Sequence, residues 1–376
     1  MLAFRIVHFY TRSMSKVQYA NSHDSDVFYV VGFPIPDSFF IIEKDNKKYV
    51  FLDHREYGIF KEKNTNPSIE VVLIDAESRV LSPNDLASSL FKKYDLLDNP
   101  VDVPKTFPLD MADFLRAHGA QLNVQNPFRP ERLKKTPEEV EMIRESLKRN
   151  CAAFDRIEEI LHEATIEGDS IIYKGVPLTS EYLKAEVDRV HLEKDMLNVE
   201  GLIISCAEHA AIPHHPGRGQ LRPHQTIICD IFPRCRSNGY FADTTRTYVK
   251  GKPSQKVAEM YDAVCKSQQV GFDMIKPGVI GGDVHRACGQ VFLVLGFDVG
   301  NKGFTHGTGH GLGLDIHEMP YMNAQSTTIL EPGHVMSVEP GLYYPEWGGV
   351  RIEDIIVVTE DGCENLTDHN KDYIIP

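Results

Sequence analysis

The stretch at residues 305–320, THGTGHGLGLDIHEMP, sets His306, His310 and His317 among closely spaced glycines. The glycines are Gly307, Gly309, Gly311 and Gly313. This composition disfavours a regular helix or strand, and glycine permits positive φ and a close approach of the backbone to a ligand. We therefore expect a loop that directs imidazoles towards a common point, as in a metal or catalytic site.

Known glycine and histidine motifs do not explain this stretch. The dinucleotide pattern G-x-G-x-x-G would need a glycine where Leu312 stands, and neither G-x-x-x-x-G-K-[ST] nor the zinc pattern H-E-x-x-H occurs. Other parts of the chain must therefore indicate what the histidines bind.

The overall composition is that of an ordinary soluble protein. A chain of 376 residues exceeds what one core usually serves, so two domains are expected. A net charge of −14 argues against nucleic acid and anionic membrane surfaces as partners. The seven cysteines are odd in number and form no C-x-x-C pair, which is typical of a reducing compartment.

The N-terminal segment, MLAFRIVHFYTRSMSKV, does not resemble a signal peptide. Charged residues interrupt it, whereas a signal peptide needs an unbroken apolar core of roughly 7–15 residues. No run approaches the ~20 apolar residues of a membrane span. We expect a cytoplasmic protein without membrane attachment, and both Met1 and Met14 are compatible with a translation start.

The first 130 residues predict a mixed α/β domain. Short β-branched and aromatic runs within residues 26–75, namely DVFYVVGF, SFFIIEK, YVFLD and IEVVLID, predict strands. Residues 83–97 and 109–118 predict amphipathic helices.

A domain boundary is expected near residues 127–135. The charged segment RPERLKK is followed by Thr136 as a helix N-cap, with proline at the first helical position and glutamate at the third. We therefore predict domains at 1–130 and 131–376. Further helices are expected at 180–193, 254–275 and 283–295.

Four strand-like segments of the second domain end in a carboxylate. These residues are Asp230, Asp243, Glu339 and Glu353. Burying such a carboxylate is costly without a cation or donor, and any one of them alone is compatible with a solvated strand end. However, an L-x-P motif begins nine residues before both Asp230 and Glu339, and a glycine lies four residues before both Asp243 and Glu353. We infer two similar halves, each presenting a hairpin with two carboxylates.

Four carboxylates in one dry site require cations, because like charges a few ångströms apart repel strongly. Oxygen ligands with one imidazole suit Mn²⁺, Co²⁺, Fe²⁺ or Zn²⁺. Five ligands are natural for two ions that share bridging ligands, so the sequence predicts a two-metal hydrolase site holding a hydroxide.

The set Asp230, Asp243, His310, Glu339 and Glu353 resembles that of the metallopeptidase family of methionine aminopeptidase, aminopeptidase P and prolidase. The motifs are GYFADTTRT, GTGHGLGLDIHEMP, VEPGLYY and VRIED. The resemblance covers residues 132–376 and implies the pita-bread fold, an α/β (α+β) architecture with a pseudo-twofold repeat. The segments FYVVGFPIPDSFFII and YVFLDHREY resemble the non-catalytic domain of aminopeptidase P, prolidase and creatinase, which favours Xaa-Pro cleavage.

The resemblance implies a role for each ligand. Asp230 would bind one ion, His310 and Glu339 the other, and Asp243 and Glu353 would bridge both. Glu339 would also act as general base for the bridging hydroxide. Mn²⁺ is the first expectation, with Co²⁺, Zn²⁺ and Fe²⁺ as alternatives, and a homodimer is expected.

Four further residues are implied to act on the substrate. His317 and His306 would hydrogen-bond the scissile region and the developing oxyanion. His214, in AAIPHHPG, matches a substrate-side histidine, and Arg351 matches an arginine that orients the second-half carboxylates or the substrate. The predicted substrate is a peptide with proline at its second position.

The chain departs from the family pattern after Asp230. The family usually has D-x-G there and a spacing of 11 to the second aspartate, whereas Phe232 and Pro233 follow here and the spacing is 13. We expect the two extra residues to bulge near residues 234–238. His215 stands where a tyrosine is common.

Two alternatives to an Xaa-Pro peptidase have the same fold: a non-catalytic binding module and another amide hydrolase, such as the metal-independent creatinase kind. Both are disfavoured because all five ligands are present. The choice between aminopeptidase P and prolidase activity remains open. A dipeptidase needs a cation or a blocking loop to bind the free carboxylate after proline, and the sequence identifies neither.

Overall fold

The computed structural model describes residues 14–376. The chain divides into two compact units, with the boundary between Pro130 and Glu131. The expectations about a signal peptide and a start at Met1 fall outside the described residues. Within the described part, no helix is both long and apolar enough to cross a bilayer.

In residues 14–130, the N-terminal unit is a six-stranded mixed sheet with four α-helices. In chain order the elements are β1 (Ser15–Ala20), α1 (Ser25–Val31), β2 (Phe39–Lys44), β3 (Lys47–Leu52), α2 (His54–Lys63), β4 (Ile69–Leu73), α3 (Pro83–Lys93), β5 (Val101–Pro104), α4 (Leu109–Ala117) and β6 (Leu122–Gln125). The strand order is β4-β3-β2-β1-β5-β6. Alternate residues of β2 enter two separate apolar clusters, with Phe40 in one and Ile41 in the other. Burial on both faces explains the unbroken apolar run of this strand.

One predicted strand of this unit is wrong, because most of DVFYVVGF forms helix α1. Asp24 caps the helix by accepting hydrogen bonds from the backbone N–H groups of Asp26 and Val27, and Gly32 ends it at a φ of 74°. The buried residues Val27, Phe28, Val30 and Val31 follow helical spacing. End-capping and burial override the strand propensity of the individual residues. The two predicted helices are confirmed as α3 and α4.

The C-terminal unit contains four long helices and many short strands. In chain order they are α5 (Pro137–Glu163), β7 (Thr165–Glu167), β8 (Ser170–Tyr173), β9 (Val176–Pro177), α6 (Ser180–Glu193), β10 (Met196–Leu197), β11 (Ile203–Cys206), β12 (Thr226–Ile231), β13 (Arg234–Cys235), β14 (Thr244–Lys250), α7 (Gln255–Met274), α8 (Gly281–Val294), β15 (Gly309–Gly311), β16 (Glu318–Met322), β17 (Val335–Val338), β18 (Gly341–Tyr344), β19 (Gly348–Arg351), β20 (Asp354–Val358), β21 (Cys363–Asn365) and β22 (Ile374–Ile375). The four predicted helices are confirmed, and α5 begins with the predicted capping box at Thr136.

The predicted internal repeat is confirmed as two sheets, each with its own pair of helices. The first sheet has the order β11-β12-β14-β22 and the second β16-β15-β17-β20-β21. Strands β12 and β14 form one antiparallel pair, and β17 and β20 form the other. An isolated bridge between Thr245 and Glu353 joins the two halves. This bridge brings together the strand ends that carry the carboxylates.

The glycine-rich stretch differs from the expected loop. Part of it forms β15, and none of its four glycines has φ in the left-handed region. A Cβ at Gly309 would overlap the carbonyl oxygen of Ser337, and one at Gly311 would overlap that of Met319. Glycine is required at these two positions because neighbouring backbone packs directly against it.

Candidate metal centre

The four predicted carboxylates lie at corresponding positions in the two halves. Asp230 is near the end of β12 and Asp243 directly precedes β14, whereas Glu339 directly follows β17 and Glu353 directly precedes β20. His310 lies in the middle of β15. The strand ends meet at the junction of the two sheets, so residues more than 100 positions apart in the chain face one another.

The imidazole of His310 lies within this cluster. Its Nε2 is 3.3 Å from Oε1 of Glu339 and 3.7 Å from Oδ2 of Asp243. One ligand atom from each of Asp243, His310 and Glu353 lies within 4.8 Å of the other two. A single cation can therefore be reached by these three residues together.

Two carboxylate oxygens in the cluster are buried without a hydrogen-bond partner among the described residues. They are Oδ1 of Asp243 and Oε1 of Glu353. Burial raises the pKa of both carboxyl groups well above the ordinary range, and the neighbouring carboxylates raise it further. Burying a carboxylate oxygen without a partner costs free energy unless a cation binds it. This donor set therefore fits divalent metal ions.

Asp230 is compensated by Arg351, which is also buried. The Nη2 of Arg351 donates to Oδ2 of Asp230 at 2.6 Å. Its Nε donates to Oγ1 of Thr245 at 3.2 Å and its Nη1 to the hydroxyl of Tyr343 at 2.5 Å. Burial raises the pKa of Asp230, and Arg351 partly offsets this. Arg351 was expected to orient the second-half carboxylates or the substrate, but the carboxylate to which it donates is Asp230 of the first half, because Arg351 reaches across the junction of the two sheets.

Glu339 and His310 form a proton-sharing pair in the metal-free chain. Burial disfavours both charges, but the hydrogen bond between the two groups and the attraction of nearby opposite charges together outweigh it, lowering the pKa of Glu339 to about 2 and raising that of His310 to about 9. The imidazolium then offsets part of the negative charge. A metal ligand must be a neutral imidazole, so metal binding has to displace this proton.

Two hydroxyl groups that the sequence analysis did not single out support the ligands. Oγ1 of Thr245 donates to Oε2 of Glu353 at 2.8 Å. Oγ of Ser337 donates to Oε1 of Glu339 at 3.1 Å and accepts the backbone N–H of His310 at 3.0 Å. Thr245 stands two residues after Asp243, and Ser337 two before Glu339. Because side chains two apart on a strand share a face, this spacing could have identified both.

All the predicted site residues line one cavity of about 640 Å³. Besides the five predicted ligands, it is lined by His214, His306, His317 and Arg351. Residues that the sequence analysis did not assign also line it, including Glu200, Leu202, Ile316, Tyr321 and Asn323.

The histidines of the cavity differ in their surroundings. Nδ1 of His306 lies 2.7 Å from the carbonyl oxygen of Gly307, and its Nε2 lies 3.0 Å from the hydroxyl of Tyr343. Burial lowers the pKa of His306 to about 4, so the ring is neutral. His317 packs edge-on against His310, with ring centroids 4.3 Å apart. His214 is exposed to the cavity.

The extra residues after Asp230 form a small additional ladder. Strand β13 pairs with β10, and the side chain of Phe232, just before it, lines the cavity. The predicted bulge therefore adds a wall residue and leaves the ligands in place. His215 does not line the cavity; it stacks on His209 at 4.0 Å and accepts the backbone N–H of Gly217.

Comparison with known proteins agrees with this geometry. A probable dipeptidase, PepE, of Mycobacterium tuberculosis is 34% identical over 245 residues, which cover 65% of this chain and 61% of that protein. The match thus spans less than two thirds of the relative's length. The Xaa-Pro dipeptidase of Pyrococcus furiosus is 26% identical over 93% of this chain and 92% of its own. The structure of an Xaa-Pro dipeptidase from Bacillus anthracis superposes with a TM-score of 0.80 at 24% identity, covering 96% of this chain and 95% of that one.

The family model of metallopeptidase family M24 matches residues 141–360, which include every predicted metal ligand. Since this match covers more than half of the chain, and the two halves have the pita-bread architecture, the chain belongs to metallopeptidase family M24.

Proposed function

We propose that this protein hydrolyses the peptide bond between an N-terminal residue and a following proline, using two divalent cations. The observation that carries the proposal is the cluster of carboxylates with unpartnered buried oxygens, which opens into a cavity of peptide size. The preference for proline rests on the likeness to the Xaa-Pro dipeptidase of Pyrococcus furiosus, which extends over nearly the whole chain.

The five predicted ligands would hold the cations. Asp230 would bind one, His310 and Glu339 the other, and Asp243 and Glu353 both. Mn²⁺ is the first candidate, followed by Co²⁺, Zn²⁺ and Fe²⁺. When bound, the cations supply Lewis acidity, which acidifies a water molecule and polarises the scissile carbonyl.

The side chains of the chain itself would position the reactants and move the proton. Glu339 would accept a proton from the attacking water and return it to the proline nitrogen, which must leave as a secondary amine. Its side chain is held for this by Ser337 and His310. His317 would donate a hydrogen bond to the carbonyl oxygen as negative charge develops there. His306, whose Nδ1 faces the carbonyl oxygen of Gly307, would act on the scissile region through the hydroxyl of Tyr343, which lies 3.0 Å from its Nε2. His214 would contact the substrate from the opposite wall.

Two further expectations belong to this proposal. A cytoplasmic location is expected from the cysteine pattern, and a homodimer from the family resemblance. A non-catalytic module of the same fold would tolerate loss of ligands, whereas this chain retains all five. Size-exclusion chromatography with light scattering tests the dimer directly.

The experiment is metal-dependent hydrolysis of Ala-Pro and Arg-Pro-Pro by the full chain. The protein is stripped with a chelator, refilled with Mn²⁺, Co²⁺ or Zn²⁺, and its bound metal counted. We expect two ions per chain and restored cleavage, with Glu339→Gln reducing kcat by roughly 10²–10⁴-fold. Glu346→Gln, a change at an exposed turn, serves as control. No cleavage by a chain with two ions bound would reject the proposal.

A further inference from the structure

The cavity lining bears on the length of the substrate. A dipeptide presents a free carboxylate directly after its proline. Binding this carboxylate in the cavity removes part of its hydration, which costs free energy unless a cation or several hydrogen-bond donors replace the lost water. A longer peptide has a neutral amide at that position. The positively charged side chains that line the cavity therefore indicate which of the two substrate classes the site can bind.

Arg351 is the sole arginine or lysine side chain that the described residues contribute to the cavity lining. Each of its three guanidinium nitrogens already donates to a protein oxygen: Nε to Thr245, Nη1 to Tyr343 and Nη2 to Asp230. Releasing Nη2 to a substrate carboxylate would break the 2.6 Å hydrogen bond that orients Asp230. Since Nη1 also donates to the carbonyl oxygen of Pro213 at 3.4 Å, four of the five N–H donors are used, and Arg351 cannot hold a carboxylate with two N–H groups without giving up a protein partner.

The imidazoles offer little in its place. His310 belongs to the metal cluster, and both ring nitrogens of His306 are engaged, one by Gly307 and the other by Tyr343. His317 packs against His310 and is assigned to the scissile carbonyl, so His214, Tyr321 and Asn323 are the other polar side chains of the lining, and none of them is a lysine or an arginine. Glu200, an exposed carboxylate, also lines the cavity and would repel a free carboxylate.

We infer that this protein acts on peptides of three or more residues and discriminates against Xaa-Pro dipeptides. This inference rests on the proposed Xaa-Pro activity and names the substrate class of the same site. The cavity of about 640 Å³ lies well within the range of roughly 300–1,000 Å³ for drug-sized ligands. It therefore has room for a chain that continues beyond the proline.

The test compares Ala-Pro, its amide Ala-Pro-NH₂ and Ala-Pro-Ala on the metal-loaded protein. The three share the scissile bond and the N-terminal amine. Ala-Pro-NH₂ lacks the charge that follows the proline in Ala-Pro, and Ala-Pro-Ala carries that charge one residue further on. We expect kcat/KM for the amide and the tripeptide to exceed that for Ala-Pro by at least ~10-fold, mostly through KM. Equal or faster cleavage of Ala-Pro would overturn the inference. Failure to cleave all three with two ions bound would reject the Xaa-Pro activity itself.

A variant pair tests the contribution of Glu200. Glu200→Gln should raise the ratio of kcat/KM for Ala-Pro over Ala-Pro-NH₂ by about two- to threefold at low salt, because one repelling charge is removed. Glu193→Gln, at an exposed position on α6 away from the cavity, should leave the ratio unchanged. An unchanged or lower ratio in Glu200→Gln would contradict the electrostatic reasoning.

Discussion

Two adjacent lysines, Lys134 and Lys135, each form an ion pair with a glutamate, and one pair is exposed whereas the other is buried. The side chains of Lys134 and Glu331 are 52% and 50% exposed, whereas those of Lys135 and Glu318 are 2% and 10% exposed. Replacing either lysine by methionine removes one charge at similar length. The two variants therefore compare the same chemical change in water and in the protein interior.

The expected loss of unfolding free energy depends on how deeply each glutamate is buried and on which partners it retains after the lysine is replaced. In Lys135→Met, Glu318 stays buried and retains Nη2 of Arg132 at 2.7 Å. Removing one partner of a buried ion pair costs ~3–5 kcal/mol when nothing replaces it, so with the remaining arginine we expect a loss of about 2–3 kcal/mol of unfolding free energy. Lys134→Met breaks an exposed pair and should cost less than ~0.5 kcal/mol.

Urea unfolding monitored by tryptophan fluorescence measures this difference. The chain has one tryptophan, Trp347, which is half-buried and packs against an apolar cluster of the C-terminal unit, so its signal reports unfolding of that unit. Glu318 directly follows His317, so Lys135→Met should also lower kcat, whereas Lys134→Met should not. Equal losses of unfolding free energy in the two variants would refute the reasoning from burial.

Three further changes have defined outcomes. Burial lowers the pKa of His334 to about 4, below the ordinary value of about 6.5, so the unfolded chain takes up this proton first as the pH falls. The free energy of unfolding should therefore decrease between pH 6.5 and 4 by on the order of 2 kcal/mol more than in His334→Asn; parallel urea-unfolding profiles for the two proteins would contradict this. Thr245→Val removes the hydrogen bond to Glu353 and should weaken metal binding by roughly 10–100-fold in chelator competition, and an unchanged Kd would show that the hydroxyl is dispensable. Gly309→Ala forces a Cβ into the neighbouring backbone and should cost at least ~1–3 kcal/mol in thermal or urea unfolding. Gly58→Ala, in open space on α2, should be neutral or stabilising by up to ~1 kcal/mol, and similar effects at the two glycines would refute the steric argument.

Local patterns in the sequence were sufficient where one element depends mainly on its own residues. The capping box at Thr136 and the apolar stripe of α5 predict that helix, and the repeated spacing around Asp230 and Glu339 predicts two similar halves. The helix α1 was missed because its apolar residues have high strand propensity, and its identity depends on the Asp24 cap and on burial. The role of the glycines was misjudged because the backbone that packs on Gly309 comes from a distant strand.

The sequence by itself determined which donors are available: four carboxylates and an imidazole, of residue types and spacing suited to divalent cations. Only the tertiary structure decided which groups surround them, because Thr245, Ser337, Tyr343 and Arg351 reach the cluster through pairing between strands that are far apart in the chain. The same applies to the cavity, because only the fold shows that the positive charge of Arg351 is already paired with Asp230. Ligand chemistry is a property of residue types, whereas burial and charge compensation are properties of the assembled fold.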